Sequence, residues 1–262
     1  MESEGFYMEA YKNKVIALAN DVLIEIINGA NKRRIFYKKR KTGEIANTKL
    51  LVDFAMQGKQ YSQSKPIRFM MVGRAAGCFN EDNKFNVINF ANRDNISINR
   101  DAVNLCFEDA IKNEMKWISE KPINEKGKRK KQTDKKAFFG FAKMVYLKLT
   151  EQADDEEWYK NIVRTNLFKI IPLAGGNPSY YLRMAQAKKS IEMFIAEIEF
   201  YKPTHILIID GKDSFSWITV YKDSIAESAK KIGAKICFVD RPETRKKEKL
   251  LETIDEDFWI TS

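Results

Sequence analysis

Residues 69–77 read FMMVGRAAG: an apolar run of strand length, one glycine, then a cluster of small residues. A run with no polar face predicts a strand buried on both sides, as in a parallel sheet. The small residues then form a loop at the strand's carboxyl edge, where open α/β sheets bind ligands. Outward from here the design recurs three times, at TNLFKIIP (165–172), THILII (204–209) and KICFV (235–239). Helical spacing of apolar residues predicts helices over 8–27, 101–117, 137–149, 180–201, 214–231 and 243–254. In the first, Val15, Ile16, Leu18, Ala19, Val22, Leu23, Ile26 and Ile27 recur at helical spacing and Gly29 is the expected stop. Ser179 is the expected cap of the helix over 180–201, and the acids of 154–158 suit the start of a short helix. The alternation of helix and strand predicts an α/β fold, a three-layer sandwich with a central four-stranded parallel sheet flanked by helices.

The 262 residues suffice for one sizeable α/β domain with a small appended region. The expected division is an N-terminal helical, basic region over 1–60 packed on a domain over 61–262. The net charge of +10 and the pI near 9.3 read as the footprint of a polyanionic partner. The alternative is a generally basic protein with no anionic partner. The charge is clustered. KRRIFYKKRK (32–41) holds seven Lys or Arg around Ile35, Phe36 and Tyr37, which suits a nucleic-acid backbone with unstacked bases nearby. Lys32 and Arg33 are its candidate DNA contacts; the alternative is a solvated basic turn with Phe36 packed inward. KPINEKGKRKKQTDKK (121–136) sets eight Lys or Arg against two acids and reads as a mobile loop. Its Lys130 is a candidate phosphate contact, or part of a solvated insertion.

Cys78, Cys106 and Cys237 are odd in number and fit no zinc spacing, so reduced thiols in a cytoplasmic protein are expected. The N-terminus lacks the pattern of a signal peptide, and no apolar run reaches the roughly 18 residues of a membrane span. The single histidine, His205, opens a strand, far from the carboxyl edge, and is expected to be structural. Chemistry built on a His base or a His-rich metal site is therefore not expected. Residues 73–94, GRAAGCFNEDNKFNVINFANRD, form a long polar loop. Loops of that length are functional or disordered, and its place after a buried strand favours function.

The run TNLFKIIPLAGGNPSYYLRMAQAKKSIEMFIAEIEFYKPTHILIIDG (165–211) resembles the middle of the uracil-DNA glycosylase superfamily. That superfamily has a strand ending near an Asn, a Pro-containing turn, a long helix, a Lys-Pro step and an apolar strand ending in Gly. Its first motif, a strand followed by Gly-Gln-Asp-Pro-Tyr or Gly-Glu-Ala-Pro-Gly, falls here at Gly73, Arg74, Ala75, Ala76 and Gly77. Its last, a strand followed by His-Pro-Ser, falls at 240–243, with Arg241 and Pro242. The resemblance covers about 67–254 and implies a DNA glycosylase, which flips a base out of the duplex and hydrolyses its bond to deoxyribose. Such an enzyme stabilises positive charge on the sugar with a carboxylate and negative charge on the departing base with amides or cations.

By that resemblance Asn166 reads the base edge, and 73–77 form the backbone floor of the pocket. Phe90 is the candidate stacking ring, with Asn89 beside it; for Phe90 the alternative is core packing. Arg74 or Ala75 stands where the family has its carboxylate. The nearest substitutes are Asp82 and Glu81, with Asp210 a further one. Arg241 replaces the family's His and cannot act as a general acid near neutral pH. Arg241, Pro242 and Arg245 fall where family members wedge the duplex and touch phosphates. In the strictest uracil enzymes a Tyr follows the motif's Pro and blocks 5-substituted bases; Gly77 leaves volume there. The expected substrate is therefore a 5-substituted or hypermodified pyrimidine, such as some viral DNA carries, and the expected role antiviral defence. The expected protein is monomeric and needs no cofactor, metal ion or iron–sulfur cluster. Alternatives are a uracil-excising repair enzyme, a DNA-binding module that kept the fold and lost the chemistry, and an α/β hydrolase of nucleotides.

Overall fold

In the computed structural model of the chain, Phe69–Gly73 is a strand buried at every position. The structure describes residues 2–36, 49–73, 83–91, 95–118, 137–173, 177–209, 216–239, 242, 247–252, 254 and 259. The helices are α1 (Glu2–Asn28), α2 (Lys32–Phe36), α3 (Arg100–Lys112), α4 (Ala137–Thr150), α5 (Tyr180–Tyr201), α6 (Ser216–Lys231) and α7 (Lys247–Glu252). The strands are β1 (Leu50–Val52), β2 (Met56–Gln57), β3 (Phe69–Gly73), β4 (Ile88–Phe90), β5 (Ile96–Ile98), β6 (Ile162–Asn166), β7 (Ile170–Pro172), β8 (His205–Ile209) and β9 (Lys235–Val239). These elements divide between two units. The first comprises Met1–Phe54, Arg74–Lys112 and Asn166–Phe200, and the second Ala55–Gly73, Asn113–Thr165 and Tyr201–Ser262.

The second unit is built on a five-stranded, mostly parallel sheet in the order β2-β6-β3-β8-β9. Phe69 of β3 stands opposite His205 of β8 in parallel register, and His205 opposite Lys235 of β9. Met70, Met71, Val72, Ile206, Leu207 and Ile208 are fully buried, as a sheet covered on both faces requires. Helix α4 packs on β3 and α6 on β9. From β3 the chain reaches its neighbour on one side, and from β8 it moves the other way to β9. Crossovers between parallel strands are right-handed as a rule, so connections that run in opposite directions call for helices on both faces of the sheet, and helices flank it here. The sheet differs from the expected one in its fifth strand: β2 lies antiparallel to β6, with Met56 opposite Arg164. At the end of β2 the backbone of Gly58 lies directly against Tyr159 and Lys160, and its N–H donates to the Ile162 carbonyl at 2.8 Å. A side chain there would collide with those carbonyls.

The second expected strand, 165–172, is two strands. β6 ends at Asn166, and β7 pairs antiparallel with β1 in the first unit, Leu51 opposite Ile171. The long loop expected over 73–94 holds a 3-10 turn, Asn83–Phe85, and the strand β4, which forms a hairpin with β5. Asn86, from the polar part of that run, is structural: its Oδ1 accepts from the Leu50 N–H at 2.9 Å and its Nδ2 donates to the Ile88 carbonyl at 2.8 Å. Helix α3 stops at Lys112, short of the expected 117, and Met115 just after it has a left-handed backbone (φ 54°).

In the first unit α1 buries Val15, Ala19, Val22, Leu23 and Ile26 of the residues expected at helical spacing, while Ile16, Leu18 and Ile27 are only partly buried at the edges of that face. Tyr11, four residues earlier on that face, stacks on Phe200 of α5 with ring centroids 3.9 Å apart. The α1 helix ends before Gly29, as expected. Ser179 caps α5 through its Oγ, which accepts from the Leu182 N–H at 3.4 Å.

Candidate functional site

Asn166 closes β6 with 1 % of its surface exposed. Its amide Nδ2 donates to Oδ2 of Asp53 at 2.5 Å. Asp53 is 2 % exposed and follows β1; its own N–H donates to the Lys169 carbonyl at 2.7 Å. A carboxylate can only accept here, so it fixes which end of the Asn166 amide faces it. Nδ2 points at Asp53, and the carbonyl Oδ1 turns away.

Three residues on, Lys169 carries a fully buried ammonium. Its Nζ donates to both carboxylate oxygens of Glu197 on α5, at 2.7 and 2.8 Å, and both side chains are wholly buried. Gln186 of α5 holds the backbone of Ile170 from both sides, accepting from its N–H and donating to its carbonyl at 2.8 Å each. The Ser190 hydroxyl donates to the side-chain Oε1 of Gln186 at 3.0 Å. This network gives the chain after β6 its partners, which is why the apolar run does not continue as one sheet strand. Burial makes every member matter, because a polar group without water needs a protein partner.

Other expected site residues sit as follows. Gly73 is the last, buried residue of β3. Asn89 is exposed on β4; Phe90 beside it is partly buried, its ring 6.2 Å from that of Phe36. Phe36 and Ile35 are fully buried, so α2 turns its apolar side inward and leaves Arg33 and Arg34 exposed and Lys32 partly so. Pro242 is buried. Arg74, Ala75, Ala76, Gly77, Glu81, Asp82, Lys130, Asp210, Arg241 and Arg245 lie outside the described residues, as does Cys78.

His205 stands at the amino end of β8, 8 % exposed, with its ring edge-on to Trp259 at 5.1 Å. Burial, with a smaller push from the Lys235 charge, lowers its pKa to about 4. It is therefore a neutral ring at physiological pH. Burial raises both Cys106 and Cys237 to about 12, so neither thiol is a ready nucleophile.

Sequence reasoning missed Asp53, Lys169 and Glu197. Each is a charge inside an apolar stretch, alone in LLVDFAM and NLFKIIP and one of two in FIAEIEF. That is the one signal that could have found them. Among the described residues no group of three or more His, Cys, Asp or Glu is placed to hold a metal ion, and no helix is long and apolar enough to cross a membrane. No protein-family model, curated protein or solved structure matches the chain.

Proposed function

We propose that the chain is a DNA glycosylase related to the uracil-DNA glycosylase superfamily, acting on a 5-substituted or hypermodified pyrimidine. A base of that kind in viral DNA would make its role antiviral defence. The observation that carries the reading is the order of the sheet. The chain leaves β3 toward β6 on one side and continues through β8 to β9 on the other. Such a reversal opens a crevice at the carboxyl ends of the strands. Gly73, where the GRAAG stretch begins, is the carboxyl end of β3. The other motif-bearing segments follow β8 and β9 in the same way.

In this reading Asp82 or Glu81 orients water and stabilises the cationic sugar. Asn166 contacts the base edge through its carbonyl oxygen, since Asp53 holds the amide nitrogen. Arg241 and Arg245 contact phosphates, and Pro242 belongs to the device that opens the duplex. The test is base release from a panel of DNAs carrying uracil, hypoxanthine or modified viral cytosines, read by abasic-site cleavage and the mass of the freed base. Release from a modified DNA, abolished by Asp82→Asn or Glu81→Gln, supports the reading. Release of uracil alone makes the chain a repair enzyme.

One observation favours a second reading, a DNA-binding module without chemistry. Asn166 is buried against a carboxylate, a sufficient structural use for it. Retained DNA binding with no base released across the panel establishes that module instead.

A further inference from the structure

A cationic and aromatic surface joins α2 to the first turn of α5. Arg34 lies over the ring of Tyr181, its guanidinium carbon 4.8 Å from the centroid, and one of its N–H groups donates to the Tyr181 hydroxyl at 2.9 Å. That contact ties the two helices and uses few of the guanidinium's five donors. Arg33 and Arg34 are exposed, and Lys32 precedes them. Tyr180 stands edge-on to Tyr181 at 5.3 Å and keeps 50 % of its surface exposed. A groove of about 440 Å³ runs beside α2, with Ile24, Ile35 and Ala185 as apolar lining and Asn28 and Asn31 as amides. Glu25 also lines it, so phosphates belong on the α2 side and not in the groove.

We infer that this surface binds an unpaired nucleic-acid strand, with phosphates on Lys32, Arg33 and Arg34 and a base stacked on Tyr180. Three features argue for that occupant together. Three consecutive cations on a chain of net charge +10 complement a polyanion. A half-exposed ring beside them offers a stacking face, which any base can use when it is not already stacked in a duplex. The apolar groove next to it suits a second base. The inference goes beyond the glycosylase reading and does not depend on it, because binding here requires no bond to break.

The test is fluorescence anisotropy with labelled oligothymidine and oligouridine, against a duplex of the same length, in a salt series with the full chain. The wild type binds a single strand more tightly than the duplex. Tyr180→Ala weakens single-strand binding roughly ten-fold and removes that preference, while Tyr180→Phe retains both. Arg33→Ala weakens binding and lowers the salt slope by about 0.7. Tyr180 and Arg33 are exposed, so thermal melting of the variants stays unchanged. Equal single-strand affinity of wild type and Tyr180→Ala, duplex preference, or no binding to any of the three at low salt overturns the inference. A strand that binds without losing a base separates this result from failure of the glycosylase reading.

Discussion

Glu197→Ala tests the buried network directly. Glu197 accepts both bonds from the Lys169 ammonium, at 2.7 and 2.8 Å, with neither side chain reaching solvent. Removing the carboxylate leaves a positive charge in the interior without its counter-charge. Breaking a buried pair in this way destabilises by about 3–5 kcal/mol. For a chain of this size about 1 kcal/mol shifts the melting temperature by roughly 2–4 °C, so a loss on the order of 10 °C is expected. Glu199, two residues along the same helix, supplies an internal control. It pairs with Lys14 at the same 2.8 Å, but both side chains are about half exposed (49 and 55 %). Glu199→Ala is expected to change stability by less than about 1 kcal/mol. The double variant Lys169→Met/Glu197→Leu removes both charges and keeps apolar volume, and it is expected to recover most of the loss. Urea unfolding followed by far-UV circular dichroism and tryptophan fluorescence measures all three. A Glu197→Ala effect no larger than that of Glu199→Ala would refute the claim that burial, rather than distance, sets the strength of this pair.

Three further outcomes follow from local geometry. Gly233 has φ +68° in the turn from α6 to β9, where its N–H donates to Lys230 and that of Ala234 to Ala229. Gly233→Ala there is expected to lose about 1 kcal/mol in urea unfolding, although a side chain would meet open space. Gly58→Ala forces a methyl group onto the Tyr159 and Lys160 carbonyls, and roughly 1–3 kcal/mol is expected to be lost in the same assay. His205 is held at about 4, whereas an unfolded chain titrates near 6.5. Between those values the unfolded chain binds the extra proton, so this contribution is whole above pH 6.5 and is lost as pH falls toward 4. Allowing for solvent screening at the ring, the loss is on the order of 1–2 kcal/mol; stability measured from pH 7 to 4 shows it, and His205→Gln flattens it.

What the sequence makes legible follows from range. Helix α5 is read to the residue because its cap and its apolar face are local signals. Strand β9 is read to the residue, and β3 and β8 nearly so, because strands covered on both faces are apolar throughout. Strand β2 is two residues long and makes no periodic pattern, so the fifth strand has no local signature. The break between β6 and β7 is written in Lys169, but its meaning depends on Glu197, 28 residues away. An apolar run with one lysine reads as a single strand until a partner carboxylate is in place. Residues 83–98 fail differently: their strands are three residues each, and Asn86 and Asn89 look alike in sequence. Only the fold separates Asn86, bonded to the Leu50 and Ile88 backbone, from Asn89, which is exposed.

The candidate site divides along the same line. Asn166 is legible through the resemblance, but the sequence has it near the start of a strand over 165–172, and the structure makes it the last residue of β6. Asp53, 113 residues earlier in the chain, is legible only as an acid in an apolar run. Their pairing changes what Asn166 can do. An isolated Asn offers a donor face and an acceptor face and can turn either toward a ligand. Held by a carboxylate, it presents its carbonyl oxygen away from Asp53, so a base edge read by that atom has to supply a hydrogen-bond donor. The N3–H of a uracil-type pyrimidine and the exocyclic amine of a cytosine-type one both do so, and a substituent at the 5-position alters neither. If the proposed reading holds, the Asp53–Asn166 pair therefore selects a ligand by the donor on its edge and not by its size.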